Sequence, residues 1–217
     1  MARARGLFIA LEGGDGTGKS GALAHLVASL GAGDALLATH EPGATPEGRL
    51  LRERLLRRDG LDWTPMAELL LIAADRAQHV ARVIRPALDA GRVVITDRYV
   101  GSTLAYQGAG RGIPEADIRA LHALSTGNLW PDLTVVLDAP PELALRRGLA
   151  RLAAEASGED RFEALGLDFA SRVRDGFRAQ AAAALTRHVV IDATAPLAEV
   201  QAAVARAVRT AIAERDG

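Results

Sequence analysis

Cysteine is absent from the 217 residues, which excludes disulfides, thiol nucleophiles and thiolate metal sites. Lysine is nearly absent: a single one, Lys19, stands against 25 arginines. An excess of charge of one sign is missing too. With a formal net charge of -1, the chain lacks the global basic field that drives nonspecific binding to nucleic acid, and no nucleic-acid partner is expected. Long hydrophobic runs are also missing. The apolar run behind the basic start MARAR extends over only about six residues before a glycine-rich turn. That is too short for a signal core or a membrane span, so no membrane partner and a cytoplasmic location are expected. There is no internal repeat, low-complexity tail or linker, and 49% hydrophobic residues suffice for a sizeable core. One domain over residues 1–217 is therefore expected.

Short apolar runs alternate with longer helical ones. LFIALE (7–12), ALLATH (35–40), RVVITD (92–97), LTVVLD (133–138) and HVVID (188–192) read as strands buried on both faces of a parallel sheet. Helical patterns cover 19–30, 46–58, 65–90, 114–125, 141–153, 166–186 and 196–214. The alternation predicts an α/β fold. Glu12, His40, Asp97 and Asp138 end four of the strands, which suits a carboxyl edge where ligands bind. Residues 149–168 break the pattern with a polar, charged stretch centred on Ser157-Gly158-Glu159-Asp160-Arg161. It reads either as a mobile cover over a site or as an ordinary solvated helix connection.

Gly13-Gly14-Asp15-Gly16-Thr17-Gly18-Lys19-Ser20 fits G-x-x-x-x-G-K-[ST], follows an apolar strand and opens a helix, the context that gives this motif its meaning. Glycines let backbone N–H groups turn inward around phosphate oxygens, and the positive end of the helix adds attraction. The isolated lysine fits this position. A compact ammonium can follow the β- and γ-phosphates inside a tight loop, where a planar guanidinium is larger and directionally fixed. Ser20 is expected to place its hydroxyl on Mg²⁺, with Asp97 at its strand end as a second, water-mediated ligand. A phosphate cradle alone leaves the reaction open, because transferases, switches and motor ATPases share it. An N-K-x-D stretch, the usual guanine reader, is impossible in a chain whose one lysine is already placed.

Further blocks identify the acceptor side. His40-Glu41-Pro42-Gly43-Ala44-Thr45-Pro46, Ala73-Ala74-Asp75-Arg76-Ala77-Gln78-His79, Asp97-Arg98-Tyr99 with Ser102, Ala105-Tyr106-Gln107-Gly108, Pro131-Asp132-Leu133 and Asp160-Arg161-Phe162-Glu163 occur in this order. Together they resemble the thymidylate kinases, across about residues 7–195. The resemblance implies a P-loop nucleoside monophosphate kinase fold, with a five-stranded parallel sheet, helices on both faces and a short lid at about 147–163. It also implies transfer from ATP to dTMP in dTTP biosynthesis, and a homodimer. Residue by residue it implies that Arg98 grips the acceptor monophosphate and that Arg76 reaches the thymine carbonyl. Thr103 would bond the pyrimidine edge, Tyr106 would crowd the position of a ribose 2'-hydroxyl, and Asp15 would accept from the 3'-hydroxyl. Glu41, Pro42, Ile72 and Gln107 complete the acceptor site, and a cis Glu41–Pro42 bond is expected.

Three positions depart from the family pattern. His40 stands where Arg is usual, Ile72 where a Phe commonly stacks on the base, and Gly43-Ala44 replaces Gly-Gly. A cationic His40 would make dTMP binding weaken as pH rises through about 6.5. The arginine that some members carry within the phosphate loop is here Gly16, so the cation for the transition state is expected from the cover, whose candidates are Arg146, Arg147, Arg151 and Arg161. Arg147 and Arg151 lie four residues apart on one helix face and are assigned with Lys19 and Arg98 as catalytic. Two other readings stay open on the residues alone: a kinase for another small acceptor such as dUMP, dCMP or a nonnucleotide alcohol, and a nucleotide-binding regulatory protein with a decayed acceptor site.

Overall fold

In a computed structural model, described over residues 6–30, 35–57, 61–155, 161–183 and 185–216, five strands form one parallel sheet. In chain order β1 (Leu7–Glu12) leads to α1 (Lys19–Leu30), β2 (Leu36–His40), α2 (Pro46–Leu56) and α3 (Pro65–His79). A π-helical turn at Val80–Ile84 joins α3 to α4 (Arg85–Asp89), followed by β3 (Val93–Asp97). Next comes α5 (Val100–Thr103), which continues as a π-helical stretch over Leu104–Gly110, then α6 (Glu115–Thr126), β4 (Leu133–Asp138) and α7 (Pro141–Glu155). A 3₁₀ turn at Glu163–Leu165, α8 (Gly166–Ala183), β5 (His188–Asp192) and α9 (Leu197–Asp216) complete the chain.

The sheet order is β2-β3-β1-β4-β5. Because β1 pairs with β3 on one side and β4 on the other, the chain order reverses around it. A crevice opens beyond the carboxyl ends of such strands, which is where open α/β sheets bind ligands. Alternation along β1 builds the core on both faces. Leu7, Ile9 and Leu11 pack with Leu26 of α1 and Val204 and Val208 of α9. Phe8 and Ala10 pack with Leu69 of α3, Ile84 and Ile118 of α6. Helices therefore cover both faces, as expected.

The strands agree with their sequence patterns to within a residue, but burial on both faces holds only for β1, β3 and β4. The strands β2 and β5 lie at the sheet edges and are partly exposed. Thr45 and Thr64 cap α2 and α3 by accepting from the N–H groups of Gly48 and Ala67, each followed by a proline at the first helical position, where proline's fixed φ is preorganised. The Glu41–Pro42 bond is cis. The expected polar cover is partly corrected: Leu149–Glu155 belongs to the last turns of α7, because Leu152 is buried. Ser157, Gly158, Glu159 and Asp160 lie outside the described residues.

Candidate active site

The crevice holds two cavities that meet. The first, about 330 Å³, lies over the loop that joins β1 to α1 and is lined by Lys19, Ser20, Asp97, Arg98, Arg147 and Arg151 among others. Lys19 is buried, and its Nζ donates to the carbonyls of Gly13 (2.9 Å) and Gly14 (2.7 Å). Burial first, then the neighbouring Arg98, pulls its pKa down to about 8. Thr17 Oγ1 bonds Gly14 O and closes the turn (2.8 Å). Ser20 Oγ donates to Asp97 Oδ2 at 2.7 Å, so the two expected metal-side oxygens are adjacent. Gly16 is in tight contact with α7: a Cβ there would fall 2.0 Å from Ala144 O, and its φ is +77°. This contact seats the helix carrying Arg147 and Arg151 directly on the phosphate loop.

The second cavity, about 120 Å³, is lined by all nine residues expected to hold the acceptor: Asp15, Glu41, Pro42, Ile72, Arg76, Arg98, Thr103, Tyr106 and Gln107. Asp15, Glu41, Arg52, Arg98 and Arg151 line both cavities and form the seam between them.

Arg98 is the centre of that seam. Its φ of 71° is rare for a side chain other than glycine, and the turn directs its guanidinium over the loop. Nη1 donates to Gly13 O (3.1 Å) and Ser102 Oγ (3.0 Å), and Nη2 is in close contact with Asp15. Tyr106 Oη donates to Asp15 Oδ2 at 2.5 Å, and the guanidinium lies 5.1 Å from the Tyr106 ring centroid. Burial opposes the charge of Asp15, but Arg98 and Lys19 outweigh it and hold the carboxyl below its usual range. Ser102 in turn donates to Glu12 at 2.6 Å, and Glu12 also accepts from the N–H groups of Tyr99 and Ser102.

Deeper in the second cavity, Glu41 aligns Arg76. Its two carboxylate oxygens meet Arg76 Nε and His79 Nδ1, each at 2.8 Å. Burial works against the Glu41 charge, yet Arg76 and His79 keep its pKa below the ordinary value. Arg76 Nη2 donates to Thr103 Oγ1 (2.8 Å), and Gln107 Nε2 donates to Glu68 (2.9 Å).

Several expectations are corrected. Arg161 does not line the cavity over the phosphate loop: it donates toward Leu55 O and Trp63 O and lies 3.4 Å from buried Glu68. Asp138 is held by Arg174 of α8, which donates to both its oxygens (2.7 and 2.9 Å). His40 lines the cavity over the phosphate loop, and partial desolvation, then Arg52 and His79, push its pKa below the ordinary value, which opposes a cationic role there. Arg146 is exposed. Arg147 donates to Ala193 O at 2.8 Å, and Arg151 lies 3.7 Å from Glu163. The residues missed in the sequence are Arg52, which donates to Pro42 O (3.1 Å), Glu68, and Glu163, whose carboxyl is pushed up to about 7 by burial and by Asp15. Arg52 and Glu68 lie on surface-patterned helices and carry no motif, so only their placement marks them, whereas Glu163 stands in a family block that gave it no role.

A family model described as thymidylate kinase matches residues 11–204. The thymidylate kinase of Cereibacter sphaeroides is 57% identical over 200 residues, covering 92% of each chain. That of Nitratidesulfovibrio vulgaris is 49% identical over 209 residues, covering 95% of this chain and 97% of its own. The crystal structure of thymidylate kinase from Ehrlichia chaffeensis superposes with a TM-score of 0.73 at 29% identity, over 94% of this chain and 99% of that one. With the phosphate loop, the strand order and the two joined cavities on one crevice, these matches mean that the chain belongs to the thymidylate kinase family.

Proposed function

We propose that the chain transfers the γ-phosphoryl group of ATP to dTMP, giving ADP and dTDP, with the donor phosphates in the larger cavity and dTMP in the smaller. The observation that carries this assignment is the seam: Arg98 and Asp15 line both cavities, so an acceptor phosphate held there faces the end of a donor triphosphate. In-line transfer needs positioning and charge stabilisation rather than a covalent nucleophile. Lys19 leaves the loop carbonyls for the donor phosphates. Arg98 holds the acceptor phosphate, and Asp15, fixed by Arg98 and Tyr106, receives the sugar 3'-hydroxyl. Arg76, whose Nη2 is held by Thr103, and Gln107 meet the pyrimidine edge over Ile72. Arg147 and Arg151 bracket the transferring group, where they supply the cation that Gly16 does not.

Ser20 and Asp97 would hold Mg²⁺ together with the phosphates. Their hard oxygens, adjacent at 2.7 Å, suit the ion. When bound, it neutralises charge on the donor phosphates. The exposed Leu50 of α2, Met66 and Leu70 of α3 and Leu124 of α6 support a homodimer, which sedimentation would test. No helix among the described residues is long and apolar enough to cross a membrane.

Coupled ADP release over a panel of monophosphates tests the assignment. A pocket that holds the thymine methyl should favour dTMP over dUMP by about 10 to 200-fold in kcat/KM. Equal use of the two, or ADP release without any acceptor dependence, would contradict it.

A further inference from the structure

The cluster around Glu68 has no part in phosphoryl transfer, yet it lies against the base end of the acceptor cavity. Glu68 sits in the first turns of α3 and is fully buried. Its Oε1 accepts from Gln107 Nε2 at 2.9 Å, and its Oε2 accepts from Arg111 Nη2 at 2.8 Å. Arg161 Nη2 lies 3.4 Å from the same Oε2. A carboxylate only accepts hydrogen bonds, whereas a carboxamide can offer either end. The partner of Glu68 must therefore be the NH₂ of Gln107, which leaves Gln107 Oε1 for the cavity that this residue lines. Arg76 is constrained in the same way. Glu41 takes its Nε and Thr103 its Nη2, leaving Nη1 as the donor for the cavity.

We propose that Glu68 is the positioning residue that fixes the polarity of the Gln107 carboxamide, so that the acceptor cavity takes a pyrimidine with an N3–H donor and rejects one whose N3 is an acceptor. This rests on the reading of that cavity as the dTMP site. The edge offered by the protein is a donor from Arg76 beside an acceptor from Gln107. Thymine and uracil present the complement, an O4 acceptor beside an N3–H donor. Cytosine presents an amino donor beside a bare nitrogen, opposed at both places. A buried site left with unpaired polar groups discriminates far more strongly than one that only lacks a methylene. Arg111 and Arg161 supply the charge that makes a buried carboxylate tenable here, since a buried charge without partners is costly.

The test is kcat/KM for dTMP, dUMP and dCMP with the full chain and its Glu68→Gln variant. Wild-type protein should prefer dTMP over dCMP by at least about 10³-fold. In Glu68→Gln the neighbouring amide can turn either way, and this preference should fall at least tenfold, chiefly through KM. The dTMP to dUMP ratio should stay within about twofold, because both bases carry N3–H. If Glu68→Gln loses the wild-type Tm, the same ratios are read on Glu68→Asp, which keeps the charge for the arginines but withdraws the acceptor by about 1.5 Å. A purely structural role would lower all three acceptors together, and that result overturns the proposal, as would a wild-type protein that takes dCMP within tenfold of dTMP. A wild-type protein that phosphorylates none of the three would instead overturn the kinase reading on which the proposal rests.

Discussion

Replacing Gly16 by alanine should separate the phosphate loop from the helix that carries the lid arginines. The added Cβ would fall 2.0 Å from Ala144 O and 2.7 Å from Gly148 N, both backbone atoms of α7. Comfortable contact needs about 3.5 Å, so loop and helix must part by about 1 to 1.5 Å. Arg147 lies between these two contact residues and Arg151 one turn further on. A displacement of about 1 Å at a positioning group costs about 10²-fold in rate, equivalent to about 2.7 kcal/mol in the barrier. The left-handed φ of +77° adds about 1 kcal/mol of backbone strain for a residue with a Cβ, visible as a Tm lower by about 2 to 4 °C per kcal/mol in a chain of this size. Coupled ADP release at saturating ATP and dTMP measures the first effect, and calorimetric titration should find dTMP affinity within about threefold of wild type. Gly14→Ala is the control. Its Cβ meets nothing closer than Thr17 at 3.9 Å, and kcat should hold within about threefold. Wild-type kcat in Gly16→Ala, or an equal loss in Gly14→Ala, would refute the claim that contact between loop and helix sets the arginines.

Arg147→Ala or Arg151→Ala should lower kcat at least about tenfold with dTMP affinity nearly unchanged, the mark of a contact made in the transition state; near wild-type kcat in both and in the double variant would place the cation elsewhere. With its pKa held below the ordinary value, His40 is neutral from pH 7 upward, so dTMP affinity between about pH 7 and 8.5 should follow the same profile in wild type and His40→Ala, and a difference in slope would contradict this. His122 is 2% exposed, its Nε2 donates to Leu129 O, its Nδ1 is buried without a partner, and burial pulls its pKa down to about 4. A depressed folded-state pKa adds stability that is present above the unfolded value of about 6.5 and lost as pH falls toward 4. Wild-type protein should thus lose about 2 kcal/mol from this group between pH 7 and 4.5, and His122→Gln should flatten that part of the Tm profile; parallel profiles would count against it.

Much of this architecture was legible in the chain because strands buried on both faces write themselves as apolar runs. The phosphate loop was legible because its geometry demands glycines at fixed spacing. The stretch from Val100 to Gly110 was not. Its glycines at 101, 108 and 110 weaken any helical pattern, and its helix is fixed by packing, with Glu12 accepting from the N–H groups of Tyr99 and Ser102 at its start. The acceptor residues were found through family resemblance, and every one of them lines a single cavity. What supports them was hidden. Glu68 and Arg52 look like solvated helix charges in the sequence, and only the fold brings Glu68 inward against Arg161, whose family block marked it without showing this partner. His40 showed its identity but not its surroundings, and its partial burial, followed by the proximity of Arg52 and His79, is what pushes its pKa down.

The two cavities of the crevice meet at Arg98 and Asp15. A crystal structure with a bisubstrate analogue, adenosine and thymidine joined through a phosphate chain, tests their roles as donor and acceptor sites most directly. The phosphate chain should cross the seam with Lys19 and Arg98 in contact, the thymine should lie between Ile72, Arg76 and Gln107, and Arg147 or Arg151 should have left its present partner for the chain. Thymine bound outside the cavity of Arg76 and Gln107, or a phosphate chain that avoids Arg98, would contradict the account.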